Sequence, residues 1–386
     1  MKKVLVLSAL TLAMSSVYAA NVQIYGSVDT GIQIVHNKNG DTNVSMEPGQ
    51  SWGSRWGILA TEDLGNGYSV IANLQSGIAT DSGETLYTSE ERDRLFSRET
   101  SLSMKTPYGT VGMGRFGTLS GSVGSYSMWA GWADPFGTAY LDAGIQATMY
   151  GFGRADNSIA YLSPTINGWQ FGAMYSFDAT DGGFNVDYDS VDAGDKNRLA
   201  NVAVTYFGER FAMQAAVEQI YWENHDAYNV RMDDTTDVGL SMQYDFDWAK
   251  IWLTGQYMKN AQLFGNHSVL TDLQGKTSLN NDTGEGITGY ALAAAMKKSV
   301  GKNDFLAQVQ YFDGKYDYST TAEELDMQRY VLSLGYIYNL SKSTWFYTVA
   351  SHSWGGGDWK DDRVEELGMQ DRVNRTVLQF GINTRF

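Results

Sequence analysis

The sequence predicts an all-β chain: a transmembrane antiparallel β-barrel of about sixteen strands, with short periplasmic turns, long external loops and the third loop folded into the lumen. Three observations carry this. Apolar and polar residues alternate with a period of two through repeated segments, many of them close to the roughly 9–11 residues of a tilted strand that crosses a bilayer. Short turns and long connections alternate along the chain, the layout of an outer-membrane barrel. Beyond residue 20 no apolar run reaches the roughly 20 residues a membrane helix needs.

Composition agrees. Glycine is abundant and proline scarce, 42 against 4, which suits many strands joined by glycine turns. There is no cysteine, so disulfides and thiolate metal sites are excluded. The formal charge of −16 argues against nucleic acid as a partner. Lys2 and Lys3, the apolar run Val4–Met14 and Val17-Tyr18-Ala19 form a secretory signal peptide, cleaved after residue 19. Residues 20–386 then form a single barrel domain. Loss of two lysines and no acid takes the charge from −16 to −18.

The elements follow in order. Val22, Ile24, Val28, Ile32 and Ile34 share one parity; Gln23, Tyr25, Ser27, Asp29 and Gln33 share the other. Trp52–Thr61 is the next strand, ended by the Glu-Asp-Leu-Gly-Asn-Gly turn at 62–67, and Tyr68–Ser76 returns. Phe96–Lys105 and Thr110–Arg115 flank Pro107-Tyr108-Gly109. Ser158–Ser163 and Trp169–Phe177 flank Ile166-Asn167-Gly168. Four more hairpins are read at Leu199–Phe207 with Phe211–Ile220, Val238–Phe246 with Ala249–Lys259, Ile287–Lys297 with Asn303–Phe312, and Arg329–Tyr338 with Thr344–Trp354. Arg372–Phe386 closes the set, with Thr376, Leu378, Phe380, Ile382, Thr384 and Phe386 on one face. Trp and Tyr gather near strand ends, as in the aromatic belts of membrane interfaces.

One connection differs from the rest. Residues 116–157 hold Tyr126, Met128, Trp129, Trp132, Phe136, Tyr140, Tyr150 and Phe152, with Asp134 and Asp142 as the only acids before Arg154. The other long connections are polar and acidic. A long aromatic loop suits the inside of something better than water. In lipid every backbone polar group needs an internal partner, so alternating strands must close on themselves. At sixteen strands the interior is too wide for wall side chains to fill. Water enters, and the loop at 116–157 is read as the segment that narrows the pore.

The ordered stretches resemble the general porins of Gram-negative outer membranes, the neisserial group in particular. They are Ala20-Asn21-Val22-Gln23-Ile24-Tyr25-Gly26, Ser54-Arg55-Trp56-Gly57 with Glu62–Gly67, Gly109-Thr110-Val111 leading to Gly114-Arg115, Arg154–Pro164 and the terminal Phe386. The resemblance spans the mature chain. It implies an outer-membrane homotrimer in contact with lipid and lipopolysaccharide, through which small hydrophilic solutes and ions diffuse. It implies an eyelet in which wall cations face acids on the third loop, and a terminal aromatic read by the barrel assembly machinery. Carried over by position, Arg55, Arg98, Arg115 and Arg154 are eyelet cations, and Asp134 and Asp142 the opposing acids. Each arginine also reads as a rim or turn ion pair, and each acid as a fastener of loop to wall. Arg98 and Arg115 share parity with apolar neighbours, so they face the lumen only through a bulge or above the membrane band. Leu59, Ala160 and Leu162 are apolar where relatives carry polar residues. With the acidic loops, this leans toward weak cation preference or poor selectivity.

Other chemistry is thin. His36, His225, His267 and His352 have no metal-ligand spacing, and the first three read as loop residues. No nucleophile elbow or phosphate loop is present, so neither catalysis, a cofactor nor a metal is expected. The aspartates between 178 and 195 do not fit a calcium loop. A sugar-selective channel is the competing reading, with Tyr126, Trp129, Trp132 and Phe136 as stacking surfaces. A barrel enzyme or an adhesin is further off.

Overall fold

The computed structural model describes residues 21–38, 40, 42–86, 94–137, 140–149, 151, 153–179, 197–223, 232–261, 283–317, 324–360 and 373–386. The signal peptide, His225, His267, Tyr150, Phe152 and most of the acidic segment at 178–198 lie outside these residues.

The described strands are β1 (Asn21–Asn37), β2 (Thr42–Pro48), β3 (Arg55–Gly65), β4 (Tyr68–Ile78), β5 (Thr85–Leu86), β6 (Glu99–Thr106), β7 (Gly109–Gly117), β8 (Arg154–Leu162) and β9 (Trp169–Ser176). They continue as β10 (Arg198–Phe207), β11 (Phe211–Tyr221), β12 (Thr235–Asp245), β13 (Lys250–Ala261), β14 (Ile287–Val300), β15 (Asn303–Tyr316), β16 (Leu325–Asn339), β17 (Thr344–Gly357) and β18 (Arg375–Arg385). Successive wall strands pair antiparallel, and β1 meets both β3 and β18, from Asn21↔Thr61 to Asn37↔Arg375. The wall is therefore closed and leaves no edge.

Two of the eighteen strands are additions. β2 pairs only with the far end of β1, and β5 is a two-residue pairing with β4. The remaining sixteen are the wall the alternation predicts. The stretch between Ile34 and Trp52, where the sequence suggests no strand and makes His36 a loop residue, instead holds β2, and His36 lies on β1 with its ring nitrogen 2.9 Å from Thr42 Oγ1. The pairing of Ile34 with Val44 and of His36 with Thr42 continues a strand ladder beyond β3.

Burial is inverted relative to a soluble protein. On β12, Thr235, Asp237, Ser241 and Gln243 are buried, while Val238, Leu240, Met242 and Tyr244 are exposed. The exposed apolar face is the one a bilayer solvates. The buried polar face looks inward, where loop and lumen supply its partners. The short turns follow local chemistry: Asn66-Gly67 and Asn167-Gly168 have positive φ at both positions, 55° with 82° and 50° with 87°. That is the two-residue turn whose twist matches a hairpin.

Candidate channel constriction

The loop between β7 and β8 crosses the inside of the wall. It carries two short 3-10 turns, Ala130–Trp132 and Ile145–Ala147. Its apolar side chains do not sit in water. Phe116, Leu119, Tyr126, Met128, Trp129 and Ile145 form a buried cluster with inward residues of the wall. The fit depends on glycine. Wall positions Gly112, Gly172, Gly239 and Gly335 face Tyr126, Met128, Trp129 and Phe136, and a Cβ at any of them would overlap or crowd the loop side chain. Four absent methyl groups thus form sockets for four loop residues.

Hydrogen bonds complete the fastening. Ser120 N–H donates to Asn201 Oδ1 at 3.0 Å, and Ser120 Oγ donates to Glu218. Ser125 donates to Glu99 through N–H at 3.0 Å and Oγ at 2.8 Å. Thr254 Oγ1 donates to Ala133 O at 2.6 Å, and Gln310 Nε2 to Gly144 O at 3.1 Å.

The two loop acids play different parts. Asp142 is fully buried and receives Arg375 through Nε at 2.5 Å and Nη2 at 2.7 Å, and Arg329 Nη2 at 3.1 Å. Burial alone would raise its pKa, but Arg375 and Arg329 outweigh that and hold the carboxyl below its usual range. It does not line the lumen cavity. The eyelet role expected of Asp142 is therefore replaced by a clamp, because two arginines of β16 and β18 already neutralise it. Asp134 borders the cavity, yet its oxygens accept the Gly137 and Ile145 N–H groups, each at 2.6 Å. Burial pushes its carboxyl up to about 6, against those hydrogen bonds.

Three of the four predicted arginines reach the lumen. Arg55, Arg98 and Arg154 line a cavity of about 1280 Å³. Arg98 Nε donates to Gln75 Oε1 at 2.8 Å, and Arg55 Cζ lies 5.1 Å from the Trp52 ring centre. Arg98 and Glu99 are both buried next to each other, so the strand parity breaks just before β6. A register shift between Gly114 and Phe116 supplies the bulge expected near Arg115. Arg115 nevertheless departs from the expectation. Its guanidinium pairs with Asp156 at 2.6 Å and donates to Ser97 O at 3.0 Å, Asp156 also holds Arg94 at 2.7 Å, and Arg115 does not line the cavity.

The aromatics divide too. Tyr126 and Trp129 are buried at the seam of loop and wall, with Tyr126 Oη 2.7 Å from Ser103 Oγ. Rings covered in this way offer no face to a sugar. Phe136 is also buried, while Trp132 is 51 % exposed in the lumen. The apolar replacements sort likewise. Ala160 and Leu162 pack on the loop cluster, and Leu59 borders the cavity. Phe386 lies at the seam of β1 and β18, its backbone paired with Gly26 by bonds of 3.0 and 3.2 Å.

Sequence reasoning passed over Lys297, Lys342, Arg385, Arg329 and Arg375. Lys342 lies in the turn between β16 and β17; for the others the signal was strand parity, as where Arg375, Val377, Gln379 and Asn383 alternate with the apolar face of β18 and are all buried. Among the described residues, the cations bordering the cavity are Arg55, Arg98, Arg154, Lys297, Lys342 and Arg385. The acids are Glu47, Glu99, Asp134 and Asp304.

The family profile for Gram-negative porins matches residues 6–355. An outer membrane porin protein of Bordetella pertussis is 27 % identical over 427 aligned positions, covering 100 % of both chains. Among solved structures, an anion-selective porin from Comamonas acidovorans superposes with a TM-score of 0.67 at 20 % identity, over 95 % of this chain and 100 % of that one. OmpT of Vibrio cholerae, described as a trimer form, gives a TM-score of 0.58 at 15 % identity, over 95 % and 100 %.

Proposed function

Because the chain belongs to the Gram-negative porin family and forms an outer-membrane channel for the diffusion of small hydrophilic solutes and ions, we propose that its lumen favours anions. The family points to a channel rather than an enzyme. The lumen charge carries the selectivity reading. Six basic side chains border the cavity against four acidic ones, and two of those acids, Glu99 and Asp134, are buried at 1 % and 7 % exposure. A charged wall around a narrow aqueous path selects the opposite sign. The total charge of −16 does not count against this reading, because many acids of the sequence fall in the segments 178–198, 221–237, 313–328 and 355–371. The solved relative named as anion-selective supports the same sign.

We assign Arg55, Arg98 and Arg154 as the eyelet cations. We also read the chain as a homotrimer set in lipid and lipopolysaccharide, with residues 1–19 as a cleaved signal peptide and Phe386 as the signal to the assembly machinery. The trimer form given for the Vibrio protein supports the oligomeric state.

Reversal potentials across planar bilayers in a potassium chloride gradient test the reading. Chloride is expected to permeate ahead of potassium. Preference for potassium would overturn it.

A further inference from the structure

A second inward fold faces the lumen beside the aromatic loop, whose Tyr140 ring lies 5.6 Å from that of Tyr347. Residues 49–54, between β2 and β3, wrap around the carboxylate of Asp29. The N–H groups of Gln50, Ser51 and Trp52 donate to it at 3.0, 3.2 and 3.1 Å. Tyr347 Oη and Asn383 Nδ2 donate to the same group at 2.8 and 2.9 Å. Ser54 Oγ closes the turn on Asp29 O at 2.8 Å. The turn is therefore held in place before any ligand arrives.

Two arginines flank it. Arg55 on β3 and Arg385 on β18 are both cross-strand partners of Ser27 on β1. They stand in one row across three adjacent strands, so their Cα atoms are about 10 Å apart at the usual strand spacing. Trp52 bridges them. Its ring centre lies 5.1 Å from Arg55 Cζ and 4.6 Å from Arg385 Cζ. Arg385 Cζ also lies 4.8 Å from the Trp345 ring, whose Nε1 donates to Ser51 Oγ at 3.0 Å. All four side chains border the lumen cavity, and Trp52 is 39 % exposed. The Arg385 guanidinium rests on aromatic rings and forms no ion pair with any described residue. Its fork of donors matches a carboxylate.

We propose that this ledge is a binding subsite for small aromatic carboxylates, with the ligand ring on the exposed Trp52 indole and its carboxylate on Arg385. The paired positive charge draws an anion to the ledge. The indole then separates flat rings from saturated ones, because stacking needs a π face on both partners. The proposal rests on the lumen being an open aqueous path.

The test is single-channel current through the purified full-length protein in potassium chloride, with benzoate, cyclohexanecarboxylate or benzyl alcohol added. Benzoate is expected to interrupt the current at lower concentration than either comparison. Arg385→Gln is expected to weaken its effect by about tenfold, the scale of one charged hydrogen bond. Trp52→Leu is expected to make benzoate and cyclohexanecarboxylate equal. Trp52 lies in a turn, so this variant carries the test if Arg385→Gln fails to assemble. Equal effects of the two carboxylates on the unaltered protein would overturn the subsite while leaving the channel reading intact. Absence of any conductance would overturn both.

Discussion

Asp142 and Arg375 stand 233 positions apart in sequence and are joined by two hydrogen bonds, at 2.5 and 2.7 Å. Arg329 shares the same carboxylate. Breaking a buried ion pair from one side costs about 3–5 kcal/mol. Asp142→Asn is therefore expected to lower the unfolding free energy by about that amount and to add noise to the open-channel current as the loop loosens. Denaturant titration and single-channel recording check this. A quiet channel of unchanged stability would show that the clamp does not hold the loop.

The loop acids respond to pH in opposite senses. Asp134 has its carboxyl pushed up to about 6 from 3.8, so the folded protein holds a proton that the unfolded chain has lost. Its contribution is complete below the unfolded value and declines as pH rises toward 6, by about 3 kcal/mol in all. Asp142, held below 3.8, is stabilising above that value and loses its contribution as pH falls further. Unfolding midpoints measured from pH 4 to 7 should fall with rising pH, and Asp134→Asn should flatten that slope.

Glu218 and Asp237 face each other across β11 and β12, both buried, and Asp237 Oδ1 has no hydrogen-bond partner among the described residues. Like charges directly opposite on a sheet are destabilising. Asp237→Asn should raise stability by about 1 kcal/mol. Denaturation midpoints check this, and a loss would show that the charge is needed.

Gly239 lies under the Trp129 ring, where a Cβ would overlap it. Gly239→Val should cost about 1–3 kcal/mol through overpacking. It should also raise conductance by displacing the loop. Adding Trp129→Ala should recover part of the stability, which a double-mutant cycle measures.

The wall was legible because each strand repeats one simple rule, and the rule survives errors of a residue or two at the ends. β2 was missed because Val44 and Met46 sit in a stretch too short and polar to stand out. The site was half legible. Arg55, Arg98 and Arg154 border the cavity. Arg115 does not, because its partner Asp156 lies across a bulge that parity alone cannot locate. Asp142 read as a lumen acid because its neutralising arginines come from strands two hundred positions away. The glycine sockets left no local trace, since a glycine on an inward face looks like any other until the loop side chain above it is known.

The clamp also sets an order of assembly. Asp142 precedes every strand from β8 onward in the chain, yet its two partners stand on β16 and β18. β18 is also the strand whose pairing with β1 seals the cylinder. A growing wall can seat the apolar side of this loop through β6 to β15, but it has nothing that neutralises Asp142. The last fastening of the constriction is therefore made by the same strand that seals the cylinder.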